Sequence, residues 1–273
     1  MASVLDNNQP LIIEPFLTGS CIIRNFALQC GIDPASAYES ILNDAHWIDR
    51  SENIAKYRGR PLARDKSYYV ITTSDGSKPQ YSFPGFQHAQ VGRYQPFEAL
   101  PIIHQIAGHL RELTINGQPF NVNHIIATRY KDGNDNISYH SDKPKSFVPN
   151  TPIVSLSFGE RREMHIGLPN AKDKRKTDFV QAFILNPGDA AIISWNDNLT
   201  HRHAIVKAKE ETLIERDAQY VLQPRISLVA RHIGAVVKQK RARAPALNAD
   251  ADEAEDAGDA EDSVVKRHKN DVE

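Results

Sequence analysis

The sequence predicts an α+β protein in which amino-terminal helices precede a core of antiparallel strands, arranged as a sandwich or a barrel. Apolar residues recur at three- and four-residue steps before residue 114, which is typical of packed helices. After residue 118 the apolar runs become short and are separated by turn residues, which is typical of strands. Many short strands at close spacing indicate an antiparallel sandwich or barrel.

Composition narrows the class of protein. The chain has 273 residues, of which 40% are hydrophobic and 25% are charged, as in a globular protein with a buried core. A net charge of −1 does not point to a nucleic-acid partner, and no apolar run is long enough to span a membrane, so no membrane partner is expected. The chain shows no secretory signal, and Cys21 and Cys30 are too few for a disulfide framework. We therefore expect an intracellular location, nuclear or cytoplasmic.

Three segments differ in composition. Residues 1–14 are polar and are expected to form a flexible arm, whereas residues 15–236 carry the periodic patterns and are expected to form one domain. Residues 237–273 are rich in Ala, Asp, Glu, Lys and Arg and are expected to be a disordered tail, because little apolar area is available to offset the entropy of ordering. The tail's basic clusters are interpreted either as a nuclear import signal or nucleic-acid arm, or as ordinary solvated charge.

Two helices are predicted in the amino-terminal half. The first begins at Asp33-Pro34, where the aspartate caps the helix and the proline fits the first helical position. The second spans residues 96–113 and carries one apolar stripe, formed by Phe97, Leu100, Ile103, Ile106, Leu110 and Leu113. Both are interpreted as helices that pack on the core.

Eight strands are predicted in the second half, bounded by turn signals such as Lys131-Asp132-Gly133-Asn134. They cover residues 123–130, 136–141, 152–158, 162–167, 179–185, 189–194, 202–206 and 225–232.

A candidate metal site begins at His140-Ser141-Asp142. On an extended strand, residues two apart point to the same side, so the imidazole and the carboxylate converge. A barrel can bring His201 or His203 beside them and complete the two-histidine, one-carboxylate set of non-haem Fe(II) oxygenases. Zinc in a hydrolytic site is the rival metal, and a hydrogen-bonded surface pair is the simpler interpretation of His-x-Asp alone.

The segment from Arg225 to Arg231 is a second candidate. Its apolar residues Ile226, Leu228 and Ala230 alternate with a face that carries both arginines and Ser227. If that face lined a cavity, the guanidinium groups would need anionic partners, and a small dicarboxylate would satisfy both. The alternative is an edge strand whose arginines face solvent.

In combination, these motifs resemble the AlkB-like family of Fe(II)/2-oxoglutarate-dependent dioxygenases. The residues from Arg129 to Asp142 resemble the family's strand, turn and His-x-Asp signature. Three later segments follow in the family's order: Pro152 to Gly159 (PIVSLSFG), His203 to Lys207 (HAIVK) and Arg225 to Arg231 (RISLVAR). Upstream, Gly59-Arg60-Pro61 and Gln80-Tyr81-Ser82 fit the nucleotide-recognition region more loosely.

The resemblance implies a double-stranded β-helix (jelly-roll) core with amino-terminal helices and nucleotide-recognition strands. It implies Fe(II) held by His140, Asp142 and His203, with His203 preferred to His201 because it occupies the motif position. For the co-substrate 2-oxoglutarate it implies a binding set of Arg225, Arg231, Tyr130, Thr128 and Ser227. The implied reaction is oxidative demethylation of alkylated bases in DNA or RNA, with release of formaldehyde, succinate and CO₂.

The substrate half departs from the family pattern. Thr128 stands where the family usually has asparagine, and Lys143-Pro144 stands where DNA-repair members commonly have two acidic residues. The candidate substrate residues are Tyr81, Phe83, Tyr69 and Lys143. Two alternatives stay open: an oxygenase acting on a protein side chain or small molecule, which Lys143-Pro144 favours, and a non-catalytic β-barrel binding module.

Overall fold

The computed structural model describes residues 12–52, 56–57, 60–61, 64–72, 76–81, 93–115, 117–208, 223–234 and 236–237. Phe83 and the tail beyond residue 237 lie outside this part of the chain. Within it, no helix has the length and apolar character needed to cross a membrane.

Two sheets form the core of the described residues, and they contain the eight predicted strands together with four strands that were not predicted. Their strands are β1 (Ile13–Pro15), β2 (Cys21–Ile23), β5 (Asp65–Val70), β7 (Tyr94–Pro96), β10 (His124–Tyr130), β11 (Ile137–His140), β12 (Ile153–Gly159), β13 (Arg162–Pro169), β14 (Thr177–Leu185), β15 (Ala190–Ile193), β16 (Arg202–Ile205) and β17 (Arg225–Arg231). The larger sheet has the strand order β1-β2-β15-β12-β17-β10-β5-β7, and the smaller has β11-β16-β13-β14. Neighbours are antiparallel except for β5 and β7. This confirms the predicted jelly-roll class and all eight predicted strands, with small shifts at their ends.

Short two-stranded sheets and helices complete the fold. The small pairs are β3 (Lys56–Tyr57) with β4 (Arg60–Pro61), β6 (Lys78–Pro79) with β18 (Val236–Val237), and β8 (Thr114–Ile115) with β9 (Gln118–Pro119). The helices are α1 (Phe26–Gln29), α2 (Pro34–Asp44), α3 (Pro101–Glu112) and α4 (Trp195–Thr200).

The two predicted helices are present, with one change at a start. The Asp33 carboxylate accepts a hydrogen bond from the Ser36 backbone N–H at 2.8 Å, so the predicted cap of α2 is confirmed. The second helix begins at Pro101 rather than at residue 96, and Phe97–Ala99 form a separate 3₁₀ turn. Leu100 is extended (φ −135°, ψ 108°), because a residue before proline avoids the helical region.

Two residues that the sequence places in the flexible arm are part of a strand instead. Ile13 and Glu14 belong to β1, which pairs with β2 at the edge of the larger sheet. Strands of three residues are too short to show a clear alternation, which is why the sequence does not reveal this pair.

The larger sheet separates two environments. On one face, Leu228, Ile125 and Tyr69 pack with apolar residues of α2 and α3 in the main core. The other face turns toward the smaller sheet, where two further apolar clusters lie. One surrounds Tyr81, Phe147 and Ile153, and the other surrounds Tyr130, Met164, Ile166, Leu185 and Ile205.

Candidate active site

Pairing of β11 with β16 brings two histidines together. His140 lies directly opposite His203, and their ring centroids are 4.3 Å apart. Asp142 follows two residues after His140, and one ligand atom from each of the three residues lies within 4.8 Å of the others. The predicted convergence is therefore present, and it can hold one metal ion through two imidazoles and a carboxylate.

Hydrogen bonds orient each of these side chains. The His140 Nδ1 donates to the Ser138 carbonyl at 2.9 Å, which leaves Nε2 as the lone-pair nitrogen. Arg231 donates to the Asp142 Oδ2 from Nη2 at 2.6 Å and from Nε at 2.9 Å, which leaves Oδ1 available. The Asn198 side chain on α4 accepts from the Asp142 backbone N–H at 2.9 Å and donates to its carbonyl at 2.8 Å.

The three groups are in the protonation states that a metal requires. Burial lowers the pKa of His203 to about 3 and also lowers the pKa of His140, so both rings are neutral near pH 7. Burial alone would raise the pKa of Asp142, but Arg231 and the two imidazoles outweigh it and hold this pKa at about 2. Metal binding at neutral pH therefore has to displace few protons.

A buried arginine lies on β17, the strand whose Arg231 binds the triad residue Asp142. Arg225 is 1% exposed, and its Nη2 donates to the Ser157 Oγ at 2.8 Å. Its Nε and Nη1 have no hydrogen-bond partner among the described residues. Burial lowers the pKa of Arg225 to about 10, so the group stays charged at pH 7. A buried cation with unused donors is costly unless an anion pairs with it.

The surroundings of Arg225 fit a small dicarboxylate. Tyr130 lies opposite Arg225 in the register, and its ring centroid is 5.1 Å from the guanidinium carbon. Thr128 pairs with Ser227 on the same side of the sheet, and the Ser227 hydroxyl bonds to Ser155 at 3.0 Å. The predicted co-substrate residues thus share one face. Arg225 would hold one carboxylate of such a ligand through charge-assisted N–H bonds, and the triad would hold the metal that its other end binds.

His201 takes no part in the triad. It ends α4, and its Nδ1 lies 2.9 Å from the hydroxyl of Thr200. Its carbonyl accepts a hydrogen bond from the Ser141 hydroxyl at 2.8 Å, which ties the main chain beside the ligands. The geometry therefore agrees with the preference for His203 that the motif gave.

The predicted substrate residues separate into two groups. Tyr81 lies at the site: its hydroxyl accepts from the Lys143 backbone N–H at 3.1 Å, and its ring lies 4.4 Å from the Arg231 guanidinium carbon. Lys143 is exposed at the site's mouth. The prediction for Tyr69 is wrong, because its side chain packs against the helices on the other face of the sheet. Its neighbour Tyr68 is the one that faces the site side.

Two basic residues lie beside these groups: the sequence suggests Lys66 only as a phosphate contact, and it gives Arg162 no site role. Lys66 is partly buried and pairs in register with Thr128. Arg162, 4% exposed, donates from Nη2 to the carbonyls of Asp135 and Val206, so it joins the turn before β11 to the end of β16. The alternation of β5 could have indicated Lys66, but the contacts of Arg162 depend on the tertiary fold alone.

Comparison with known proteins decides the family. Residues 34–231 match the family model described as the 2OG-Fe(II) oxygenase superfamily. The chain belongs to this superfamily. The predicted AlkB-like dioxygenase is thereby confirmed, with Fe(II) and 2-oxoglutarate as its cofactor and co-substrate, and the His140, Asp142 and His203 cluster fits that iron.

Similarity to curated proteins extends over about half of the chain. DNA oxidative demethylase ALKBH2 of Mus musculus is 28% identical over 135 residues, which are 49% of this chain and 51% of the relative. The Homo sapiens protein of the same name is 28% identical over 49% of this chain and 47% of its own length. The chain thus spans about half the length of the curated relatives it matches. A solved structure of OsALKBH1 is 16% identical, with a TM-score of 0.45, over 81% of this chain and 100% of that chain.

Proposed function

We propose that this oxygenase removes methyl groups from alkylated bases of DNA or RNA. The observation that carries the proposal is the metal-ligand triad beside Arg225, a buried guanidinium with unused donors. In this proposal His140, Asp142 and His203 hold Fe(II), and Arg225 binds the distal carboxylate of 2-oxoglutarate. The name of the ALKBH2 relatives supports the choice of a nucleic-acid substrate.

Bound Fe(II) and 2-oxoglutarate supply the oxidising chemistry, in which O₂ gives one oxygen atom to succinate, with loss of CO₂, and the other to a C–H bond of the substrate. An N-methyl group becomes N–CH₂–OH by this insertion. The C–N bond of that product then breaks, the base nitrogen regains a proton, and the carbon leaves as formaldehyde.

The chain's own residues position the reactants and exclude water. Tyr130, Thr128, Ser227 and Arg225 share one face of the paired strands β10 and β17, and in this proposal they hold the co-substrate. Arg231 fixes the Asp142 carboxylate, and its Nη1 has no partner among the described residues, so it can donate to the co-substrate as well. Tyr81 and Phe147, with ring centroids 5.6 Å apart, are buried together in an apolar cluster that borders the site.

A protein side chain or a small molecule is the second candidate substrate. The observation that favours it is Lys143-Pro144 directly after the ligand Asp142, since neither side chain can accept a hydrogen bond from a base amine. This candidate keeps the same iron and co-substrate residues and changes only the group that is oxidised.

The test compares both substrate classes on the full chain with Fe(II), 2-oxoglutarate and O₂. We expect formaldehyde and succinate in equal amounts from oligonucleotides with N-methylated bases, and none above background from methylated peptides. His203→Ala should abolish turnover because a ligand is lost, whereas the matched control His201→Ala should retain it. Turnover of peptides alone would contradict the nucleic-acid proposal, and full activity of His203→Ala would contradict the triad.

A further inference from the structure

The mouth of the active site carries positive charge. Lys143 and Lys145, which we call the basic rim, are both exposed and follow the ligand Asp142 by one and three residues. The Lys143 main chain is fixed by its hydrogen bond to the Tyr81 hydroxyl at 3.1 Å. Because Lys143 directly follows the ligand Asp142 and its side chain is exposed, a base presented to the metal position would come within reach of its ammonium group.

The interior of the site is also positive. Burial first, and then the charges of Arg64 and Arg231, lower the pKa of Lys66 to about 7, while Asp142 acts in the opposite direction. On the same face Arg225 and Arg231 are both buried and Lys66 pairs in register with Thr128, so the basic side chains there outnumber the one carboxylate of the triad, Asp142. The charges of bound Fe(II) and of the 2-oxoglutarate dianion cancel, so this excess persists in the loaded enzyme.

Among the described residues, three carboxylates near the site are already engaged. Asp142 binds Arg231 and faces the metal position. Asp197 on α4 accepts from the Ser20 hydroxyl and the Gly19 backbone, and Asp135 binds Arg50 through both oxygens. None of these three carboxylates is available to neutralise a positively charged base.

Methylated bases fall into two charge classes. Methylation at adenine N1 or cytosine N3 makes the ring a cation near pH 7, with an exocyclic amine as donor. Methylation at thymine N3, uracil N3 or guanine N1 replaces a lactam N–H, so the ring stays neutral and keeps carbonyl acceptors. A lysine ammonium has three donors and no acceptor, so it attracts a carbonyl and repels a cation.

We propose that this site selects neutral, carbonyl-bearing methylated bases over cationic ones, and that Lys143 determines this specificity by donating to a ring carbonyl. The inference rests on the proposed nucleic-acid function. It predicts that 3-methylthymine and 1-methylguanine are substrates, and that 1-methyladenine and 3-methylcytosine are turned over poorly.

The experiment measures kcat/KM of the full chain with Fe(II) and 2-oxoglutarate on single-stranded oligonucleotides of one sequence, each with one methylated base. We expect the neutral bases to exceed the cationic ones by about tenfold or more, which corresponds to about 1.4 kcal/mol. Equal values, or a preference for the cationic bases, would overturn the inference and leave the proposed function intact. No turnover of any of the bases would overturn both.

Charge reversal isolates the role of Lys143. Lys143→Glu should shift the ratio of neutral to cationic turnover at least tenfold toward the cationic bases. Lys145→Glu makes the same charge change two residues further along and should shift the ratio less than threefold. A general loss of nucleic-acid affinity lowers kcat/KM for both classes of base alike, so it leaves the ratio of neutral to cationic turnover unchanged. An unchanged ratio in Lys143→Glu, or an equal shift in both variants, would refute the assignment to Lys143.

Discussion

The two faces of β17 perform different tasks within a single strand. Ile226, Leu228 and Ala230 are completely buried in the main core beneath the helices. On the other face, Arg225 and Arg231 point toward the smaller sheet, where one has unused donors and the other binds Asp142. Because side chains alternate along the strand, its two faces have different roles. One face stabilises the fold by burying apolar area, and the other holds desolvated charges that can bind a ligand.

Truncation of a side chain on the apolar face of β17 tests whether that face stabilises the fold, and it should give the largest effect of the changes proposed below. Leu228→Ala leaves a cavity at a fully buried position, so the free energy of unfolding should fall by about 2–5 kcal/mol. Denaturant unfolding measures this loss. Leu199→Ala, at a residue 52% exposed on α4, is the matched control and should change stability by less than about 0.5 kcal/mol. Equal losses in both variants would contradict the proposed division.

Removal of the Arg225 charge on the polar face of β17 should weaken co-substrate binding rather than lower stability. Arg225→Met deletes a charge-assisted pair, so the KM for 2-oxoglutarate should rise by about 100-fold. Stability in the absence of co-substrate should not fall, because a buried cation with unused donors is lost.

Two controls sharpen the Arg225 result. Arg225→Lys keeps the charge but loses the planar fork, so it should restore the KM only in part. Arg175→Met removes an arginine whose side chain is 80% exposed and should leave the KM unchanged. An unaltered KM in Arg225→Met would show that this guanidinium does not bind the co-substrate.

The alternation of side chains along strands made part of the fold and of the candidate site predictable from the sequence. The apolar and polar faces of β17 could be predicted because its pattern is regular over seven residues, and the convergence of His140 with Asp142 follows from the same rule. The Asp33 cap of α2 is likewise a local signal. These features depend on neighbours in sequence, which is why they could be read without the fold.

The errors arise where local signals are ambiguous. Tyr68 and Tyr69 are adjacent aromatic residues, so the sequence alone does not fix which one faces the site, and the pairing of β5 with β10 decides it. The apolar stripe of α3 continues through Leu100, which hid the break that Pro101 imposes. The alternation of β17 indicated that Arg225 could face a cavity, but its burial with unused donors, like the backbone contacts of Arg162, follows only from the tertiary fold.

The central claim is that one ferrous ion and one dicarboxylate share the cleft between the two sheets. A crystal structure of the full chain, grown without oxygen in the presence of Fe(II) and 2-oxoglutarate, tests it through the anomalous signal of iron. The account predicts an iron peak within coordination distance of His140, Asp142 and His203, with the distal carboxylate of the co-substrate on Arg225. Iron bound elsewhere, or a dicarboxylate that leaves Arg225 unpaired, would contradict it.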